Sequence, residues 1–324
     1  MKVLITGASG FIGSHLVERL LVNGFEITCL TRNASRPEWL EGLDISLIQG
    51  DCSDREFLYK SVRGYDYIFH LAGITKTNQR NDYYDVNTAG TENIISAVAH
   101  NNPNIKRFVY ISSLSAFGPK VNKSIPIENE IPHPVSDYGN SKLSAEKALH
   151  KYISNIPISI LRPSAVYGPR DREVFLIFQY IKKGVIPSWG KGHTSLIYID
   201  DLIDAVILAS ESTLAIGKTY FISDGEIYSN ENILKEISST LHVKPLTIRV
   251  PRNLLSVIGF LSDVISTMIG KKTMINRDKC KELMYSEWVC DINKARSDLG
   301  FKPKVGLKEG IQWTADWYKI HKWL

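Results

Sequence analysis

The chain has 324 residues, 44% of them hydrophobic and 23% charged, with a formal net charge of +5. These proportions exclude a largely disordered chain and supply one large α/β domain, or a domain with an appended lobe. The charge is mild and its lysines and arginines are dispersed, which argues against a nucleic-acid partner, and the four cysteines (Cys29, Cys52, Cys280, Cys290) lack CxxC spacing and read as reduced, packed thiols.

In chain order, Lys2 to Thr6 (KVLIT) is a β-rich run with no charged n-region, long apolar core or cleavage site around it, so the chain is expected to stay in the cytoplasm. Gly7-Ala8-Ser9-Gly10-Phe11-Ile12-Gly13 follows, and then Ser14 to Asn23, where Leu16, Leu20 and Leu21 recur with helical spacing. Strand, glycine turn and helix have a physical use together. The glycines allow a tight turn, close approach of backbone to a pyrophosphate, and close packing of helix on strand, while free N–H groups at the helix start point at the phosphates.

The second strand, Glu26 to Leu30, ends where NAD-selective sites place a carboxylate for the ribose 2′-hydroxyl. Thr31-Arg32 stands there instead. Arg32 is either a solvated strand end or a planar cation for a 2′-phosphate, and the second reading leans the expected cofactor from NAD toward NADP. Ile45 to Ile48, followed by Gly50-Asp51, and Tyr67 to Leu71 (YIFHL), followed by Ala72-Gly73, are further strands. Helices are expected over about Tyr83 to Ala99 and Tyr138 to Ile153, with a strand from Arg107 to Ser112 between them. Strands alternating with helices in this way predict an α/β fold, a doubly wound parallel sheet of Rossmann type. The cofactor domain is expected over residues 1–168, with a returning segment about 194–224, and a smaller C-terminal substrate lobe over most of 169–324.

Gly7 to Gly13, Gly50-Asp51, His70-Leu71-Ala72-Gly73, Asn87 with Gly90-Thr91, Ser112-Ser113, Tyr138-x-x-x-Lys142, Arg162-Pro163 and Tyr167-Gly168-Pro169-Arg170 occur in that order. Over about the first 200 residues they resemble the successive motifs of the extended short-chain dehydrogenases/reductases, the group that includes NAD-dependent epimerases and dehydratases. The resemblance implies a dinucleotide held by Gly7, Ser9, Gly10, Phe11, Ile12 and Gly13, then by Arg32, Asp51, Cys52, Leu71, Ala72 and Gly73, and finally by Asn87, Ile111, Tyr138, Lys142, Pro163 and Val166. It also implies that Asn87 supports the lysine through water, and that the two helices form a four-helix contact in a homodimer.

The chemistry follows from the residue types. Moving a hydride between a nicotinamide and an oxygen-bearing carbon requires a proton to leave or reach that oxygen. A tyrosine ordinarily titrates near ~10, too high for a base at neutral pH. Lys142, one helical turn after Tyr138, can stabilise the tyrosinate together with the cofactor's positive ring, and Ser113 can hydrogen-bond the substrate oxygen.

Substrate is less legible. Arg162 to Tyr167 resembles the strand and loop that cross the nicotinamide, and Leu196 to Asp201 (LIYIDD) resembles the later strand that returns to the cofactor domain. Arg170 and Arg172 either clamp an anionic substrate group or pair with Asp171 and Glu173. Ser113-Leu114-Ser115 stands where nucleotide-sugar dehydratases carry Thr-Asp-Glu, which disfavours dehydration, and Thr194-Ser195 stands where sugar epimerases often carry an arginine. The apolar run Leu254 to Gly270, together with Asn276 to Lys279, resembles the branch of 3β-hydroxysteroid dehydrogenases and dihydroflavonol reductases. That run is short for a spanning helix and reads as a core or lid helix, a cap over a lipophilic substrate, or a membrane-surface contact. No histidine grouping has metal-ligand spacing and no G-x-S-x-G elbow is present, so no metal is expected. The chain is expected to act on a small molecule, most simply as a nucleotide-sugar epimerase, with an NADP-dependent ketone reductase and a redox-silent nucleotide sensor as alternatives.

Overall fold

The computed structural model describes residues 1–32, 38–121, 124–269 and 276–324, with 265–269 described by their backbone alone. Seven strands form its central sheet: Lys2–Thr6 (β1), Glu26–Thr31 (β2), Ser46–Gln49 (β3), Tyr67–His70 (β4), Arg107–Ile111 (β5), Ile158–Pro163 (β6) and Lys218–Ile222 (β7). Their order is β7-β6-β5-β4-β1-β2-β3, and every pairing is parallel. The winding direction reverses between β1 and β4, so the crevice that such sheets use for ligands opens at the C-terminal ends of those two strands.

Both faces of the sheet are covered, which is why its strands read as nearly unbroken apolar runs. Val3, Ile5, Phe69 and Val109 point into one buried cluster, while Leu4, Ile68, Phe108 and Tyr110 point into the other. The first helix, Phe11–Val22 (α1), packs Leu16, Val17 and Leu20 into the first cluster. On the other face lie Gly90–Asn101 (α2) and Asp137–His150 (α3), which contribute Ile94, Ile95, Val98, Ala145 and Leu149.

Two elements differ from the sequence expectation. The helix expected from Tyr83 begins as a π-helical segment, Tyr84–Ala89, before α2. Such wide turns recur at functional sites, and this one carries Asn87. Leu196 to Asp201 is not the strand that rejoins the sheet. Only Leu196–Tyr198 is extended, paired with Ala165–Tyr167, and Ile199–Glu211 is a helix whose first turn holds Asp200 and Asp201. Carboxylates favour a helix start, and Asp201 also accepts the backbone N–H groups of Lys304 and Val305. The strand that rejoins the sheet is β7.

One charged pair is enclosed in the core. Arg162 on β6 grips Glu146 on α3 through Nη2–Oε2 at 2.6 Å and Nε–Oε1 at 3.0 Å, with 6% and 1% of the two side chains accessible. Ser112 donates to the same carboxylate at 2.5 Å. Arg162→Leu is expected to cost about 3–5 kcal/mol in urea unfolding by stranding the carboxylate, and Arg162→Leu with Glu146→Leu should recover most of it. An additive loss in the double variant would show that the pair does not act as a unit.

Candidate active site

At the crevice, Gly7 has φ +74°, and a Cβ there would lie 2.6 Å from the Ala72 nitrogen and 2.8 Å from the Leu71 oxygen. A Cβ on Gly13 would lie 2.2 Å from the Gly7 oxygen, so α1 approaches β1 as closely as backbone allows. Gly10 caps α1 with no side-chain hydrogen bond, and no acidic residue stands in the first turn. Phe11 and Ile12 open the helix half-buried beside exposed Ser9, and the turn offers N–H groups and the positive end of the helix dipole to an anion.

Asp51 and Cys52 lie past β3, where the Asp51 carboxylate closes its own turn on the Ser53 N–H at 2.8 Å. Burial and the Asp51 charge push the Cys52 thiol up to about 12, and the Arg32 guanidinium pulls against them, which places Arg32 beside this turn. Pro163 ends β6, and Val166 sits in the short strand that follows.

The three chemical side chains gather at the end of β5. Ser113 lies near enough to the Tyr138 phenol to lower its pKa, and accepts the Ser115 N–H at 3.1 Å. Burial lifts the Tyr138 phenol well above its ordinary value, Ser113 and Lys279 draw it down, and the charges of Glu282 and Glu173 raise it further. Lys142 is buried, donates to the Ile111 oxygen at 2.7 Å, and lies 4.4 Å from the centre of the Tyr110 ring. Burial pushes its ammonium down to about 7, against the attraction of Glu146. Desolvation of a lysine in this way makes its charge responsive to what binds next to it.

Asn87 is fully buried and completes the floor. Its amide pairs both ways with Ile74, at 2.8 and 3.1 Å, and donates to Ser141 at 2.9 Å. A Cβ on Gly73 would lie 3.0 Å from the Asn87 Oδ1 and 3.7 Å from the Lys142 Nζ, so Gly73, Asn87 and Lys142 converge.

Beneath them runs a chain that the sequence reading did not single out. Thr91 donates to the Asn87 carbonyl at 2.7 Å and must therefore accept the Nε2–H of His70 at 2.9 Å. The other ring nitrogen, Nδ1, then accepts from Thr6 at 2.6 Å, and the Thr6 hydroxyl accepts the Ala72 N–H at 3.2 Å. Burial and Lys142 hold His70 down to about 3, so its ring stays neutral in this one tautomer and ties the glycine loop to the floor of the site. The signal was available: a histidine ending an otherwise apolar strand needs partners for both nitrogens.

Arg170 and Arg172 are not brought to this centre. Arg170 pairs with Glu18 of α1 at 2.6 Å and lies over Trp39, while Arg172 lies over Trp323. Neither takes Asp171, whose carboxylate caps helix Arg172–Lys182 through the N–H groups of Glu173 and Val174. It is Glu173 that faces Tyr138, paired with Lys76 at 2.7 Å. Across the opening, Lys279 pairs with Glu282 at 3.0 Å. The Glu173 and Lys279 side chains keep 45% and 43% of their surface accessible although their charges reach the phenol, as groups lining a cleft do.

Helix Arg277–Leu283 (α4) also fixes Tyr138 from behind. The Asp278 carboxylate accepts the N–H groups of Asp137 and Tyr138 at 2.7 and 2.9 Å, capping α3 from a distant part of the chain. Ser136 bridges the Gly139 N–H to Glu282, at 3.0 and 2.8 Å, and Lys281 binds both Asp137 and Asp278.

A family model described as NAD dependent epimerase/dehydratase family matches residues 3–223. The chain belongs to that family. Among curated relatives of the epimerase/dehydratase chain, the N-acetyl-alpha-D-glucosaminyl-diphospho-ditrans,octacis-undecaprenol 4-epimerase of Escherichia coli O157:H7 is 28% identical, over 99% of this chain and 96% of the relative. The ceramide reductase of Caulobacter vibrioides is also 28% identical, again over 99% and 96%. Among solved structures, the UDP-glucuronic acid 4-epimerase of Bacillus cereus, in complex with UDP-glucuronic acid and NAD, is 26% identical with a TM-score of 0.79, covering 99% of this chain and 100% of that one.

The glycine cradle fits the dinucleotide that the family uses: three glycines that a Cβ would obstruct or crowd, and a helix start left open for phosphate. Asp278→Asn is expected to weaken the charge-assisted cap and lower stability by roughly 1.5–3 kcal/mol, and to depress turnover while dinucleotide affinity, measured by calorimetry, stays within twofold. Unaltered turnover would remove Asp278 from the positioning of Tyr138.

Proposed function

We propose that this enzyme is an epimerase of a diphosphate-linked sugar, oxidising a ring carbinol and reducing it again on the other face. The observation that carries the reading is the convergence at the end of β5 of Ser113, which acts on the Tyr138 phenol, with buried Lys142, beside the ion pairs Lys76–Glu173 and Lys279–Glu282. Hydroxyl-rich substrates need such convergent polar groups. Lys76 and Lys279 are the cations this cleft offers to an anionic group, in place of Arg170 and Arg172. Residues 1–168 with the returning strand β7 carry the dinucleotide, and much of 169–324 shapes the substrate side. α2 and α3 lie side by side and are proposed to form the four-helix contact of a homodimer.

Gly7 to Gly13 would hold the pyrophosphate, and Lys142 with Asn87 the nicotinamide end. When bound, the dinucleotide supplies the hydride acceptor and donor. The protein moves the proton. Ser113 orients the reacting hydroxyl, and Tyr138 takes its proton as the carbon is oxidised and returns it on reduction. Tyr138 can do so only after its pKa falls, and a cation brought against the phenol, supported by Lys142, lowers it.

Tyr138→Phe should retain dinucleotide affinity and lower turnover by about a thousandfold or more. The decisive assay incubates the purified protein, with no added cofactor, with a panel of UDP-hexoses and lipid-diphosphate sugars, and follows epimer formation by NMR. Interconversion with NAD retained on the protein supports the reading. Stoichiometric consumption of added NADPH overturns it in favour of a ketone reductase.

That second reading rests on Arg32, which follows β2 directly, near the Asp51-Cys52 turn, where NAD-selective sites put a carboxylate. Arg32→Ala should weaken NADP binding about tenfold or more and NAD binding little; equal losses would dismiss the phosphate contact. A redox-silent sensor is the weakest reading, because it has no use for a tyrosine held by Ser113 and backed by a buried lysine.

A further inference from the structure

The apolar helix Leu255–Ile269 (α5) precedes α4 in the chain and packs against it. Its inner side packs on α4: Leu255 is buried, and a Cβ on Gly259 would lie 2.9 Å from the Arg277 Cα and 3.0 Å from the Cys280 sulfur. Its outer side is bare. Val257, Leu261 and Val264, spaced by helical turns, are 52%, 52% and 42% exposed, with Ile258 and Phe260 beside them. Met284, 3.8 Å from the Ser256 hydroxyl, and Tyr285 are exposed just past α4, and Leu246 and Ile248 are exposed on strand Leu246–Arg249, which precedes α5 in the chain. Gly270, the end of the run, lies outside the described residues.

Charge selects the occupant. From Lys244 to Ser262 the chain carries Lys244, Arg249 and Arg252 and no carboxylate before Asp263, with Arg252 donating to the Trp189 and Lys191 carbonyls at 2.8 and 2.6 Å. Lys244 and Arg249 are exposed; Arg277 lies 4.3 Å from the centre of the Phe260 ring and is paired with Asp263 at 3.7 Å, which leaves Lys244 and Arg249 as the exposed cations of this patch. Apolar side chains on the bare face of a helix, bordered by cations, match the boundary of an anionic bilayer, where acyl chains take the former and headgroup phosphates the latter. A second copy fits poorly, since a two-fold contact through this patch sets cations against cations. Among the described residues no helix is long and apolar enough to cross a membrane, which leaves surface attachment.

We propose that α5 and strand Leu246–Arg249 dock the protein on an anionic membrane surface. Because α5 packs on α4, and α4 caps the helix bearing Tyr138 through Asp278, docking fixes the catalytic helix relative to the lipid headgroups. The site would then meet a substrate anchored in the bilayer. Docking itself stands apart from the epimerase reading, since vesicle binding is measured without turnover.

The test is co-sedimentation of the full chain with vesicles of phosphatidylcholine alone and of phosphatidylcholine with phosphatidylglycerol. The unaltered protein should partition onto the anionic vesicles at least about tenfold more strongly, with salt reversing the preference. Phe260→Asp with Leu261→Asp should lower that partition by about a hundredfold. Lys244→Glu with Arg249→Glu, on exposed residues outside the helix, should lower it by about tenfold or more while dinucleotide affinity stays unchanged; this pair decides the matter alone if the first variant fails to fold. Equal partition of the unaltered and variant proteins overturns the proposal. So does conversion of a dimer to a monomer by Phe260→Asp with Leu261→Asp in sedimentation velocity, which would make the patch a contact between copies.

Discussion

The site depends on how one helix is fastened at both ends of its catalytic stretch. Asp278 holds the first N–H groups of α3, and Lys142, one turn beyond Tyr138, reaches the Ile111 oxygen at the end of β5. One turn further, Glu146 is locked to Arg162 and Ser112. Tyr138 thus stands between a carboxylate cap supplied by the C-terminal part of the chain and two buried anchors supplied by the sheet. Neither the sheet nor the C-terminal segment alone would set the phenol near Ser113: Ser113 follows β5, whereas the charges that raise and lower the phenol's pKa, Glu173, Glu282 and Lys279, all come from the later half of the chain.

The same fastening explains why the pKa values are displaced in opposite senses. Burial opposes whichever form is charged, so it lifts Tyr138 and lowers Lys142. Tyr138 is thereby held neutral and Lys142 is poised between its two forms near neutral pH until a cation or a substrate oxygen arrives. Catalytic sites store reactivity in this form, because the field that a ligand brings acts in a place from which water has been displaced. His70 shows a different use of burial. With its ring neutral and both nitrogens committed, it is a strut between the glycine loop and Asn87.

How much of this was legible follows from the range of each interaction. The strand, the glycine turn and α1 are set by residues within a dozen positions of one another, and so were the Tyr138–Lys142 spacing and the sheet class. The seven-residue glycine pattern and the one-turn lysine spacing carry their geometry with them. The cleft does not. Glu173 entered the sequence reading only as one possible partner, with Asp171, for Arg170 and Arg172, because pairing by neighbourhood along the chain ignores which way a helix turns its first residues; in the fold the helix sends Glu173 toward Lys76 and Arg172 toward Trp323. Asp278 and Glu282 act on residues about 140 positions away, and no periodicity can announce that. Leu196 to Asp201 misled for a local reason, since its apolar half is extended and its acidic half starts a helix.

The ion pairs beside Tyr138 and the exposed apolar face of α5 place opposite demands on solvent. The ionic wall gains by meeting hydroxyls and phosphates, whereas the apolar helix gains only by leaving water. A substrate small and polar throughout would use the first and leave the second exposed at a cost; a wholly apolar one would desolvate Glu173 and Lys279 without replacing their water. On the proposed reading, a molecule or molecular assembly that is polar where it reacts and apolar where it is anchored would reconcile the two surfaces. α4 is the element on which that reconciliation turns, since it presents Lys279 and Glu282 to the cleft, supports α5 at Arg277 and Cys280, and caps the catalytic helix with Asp278.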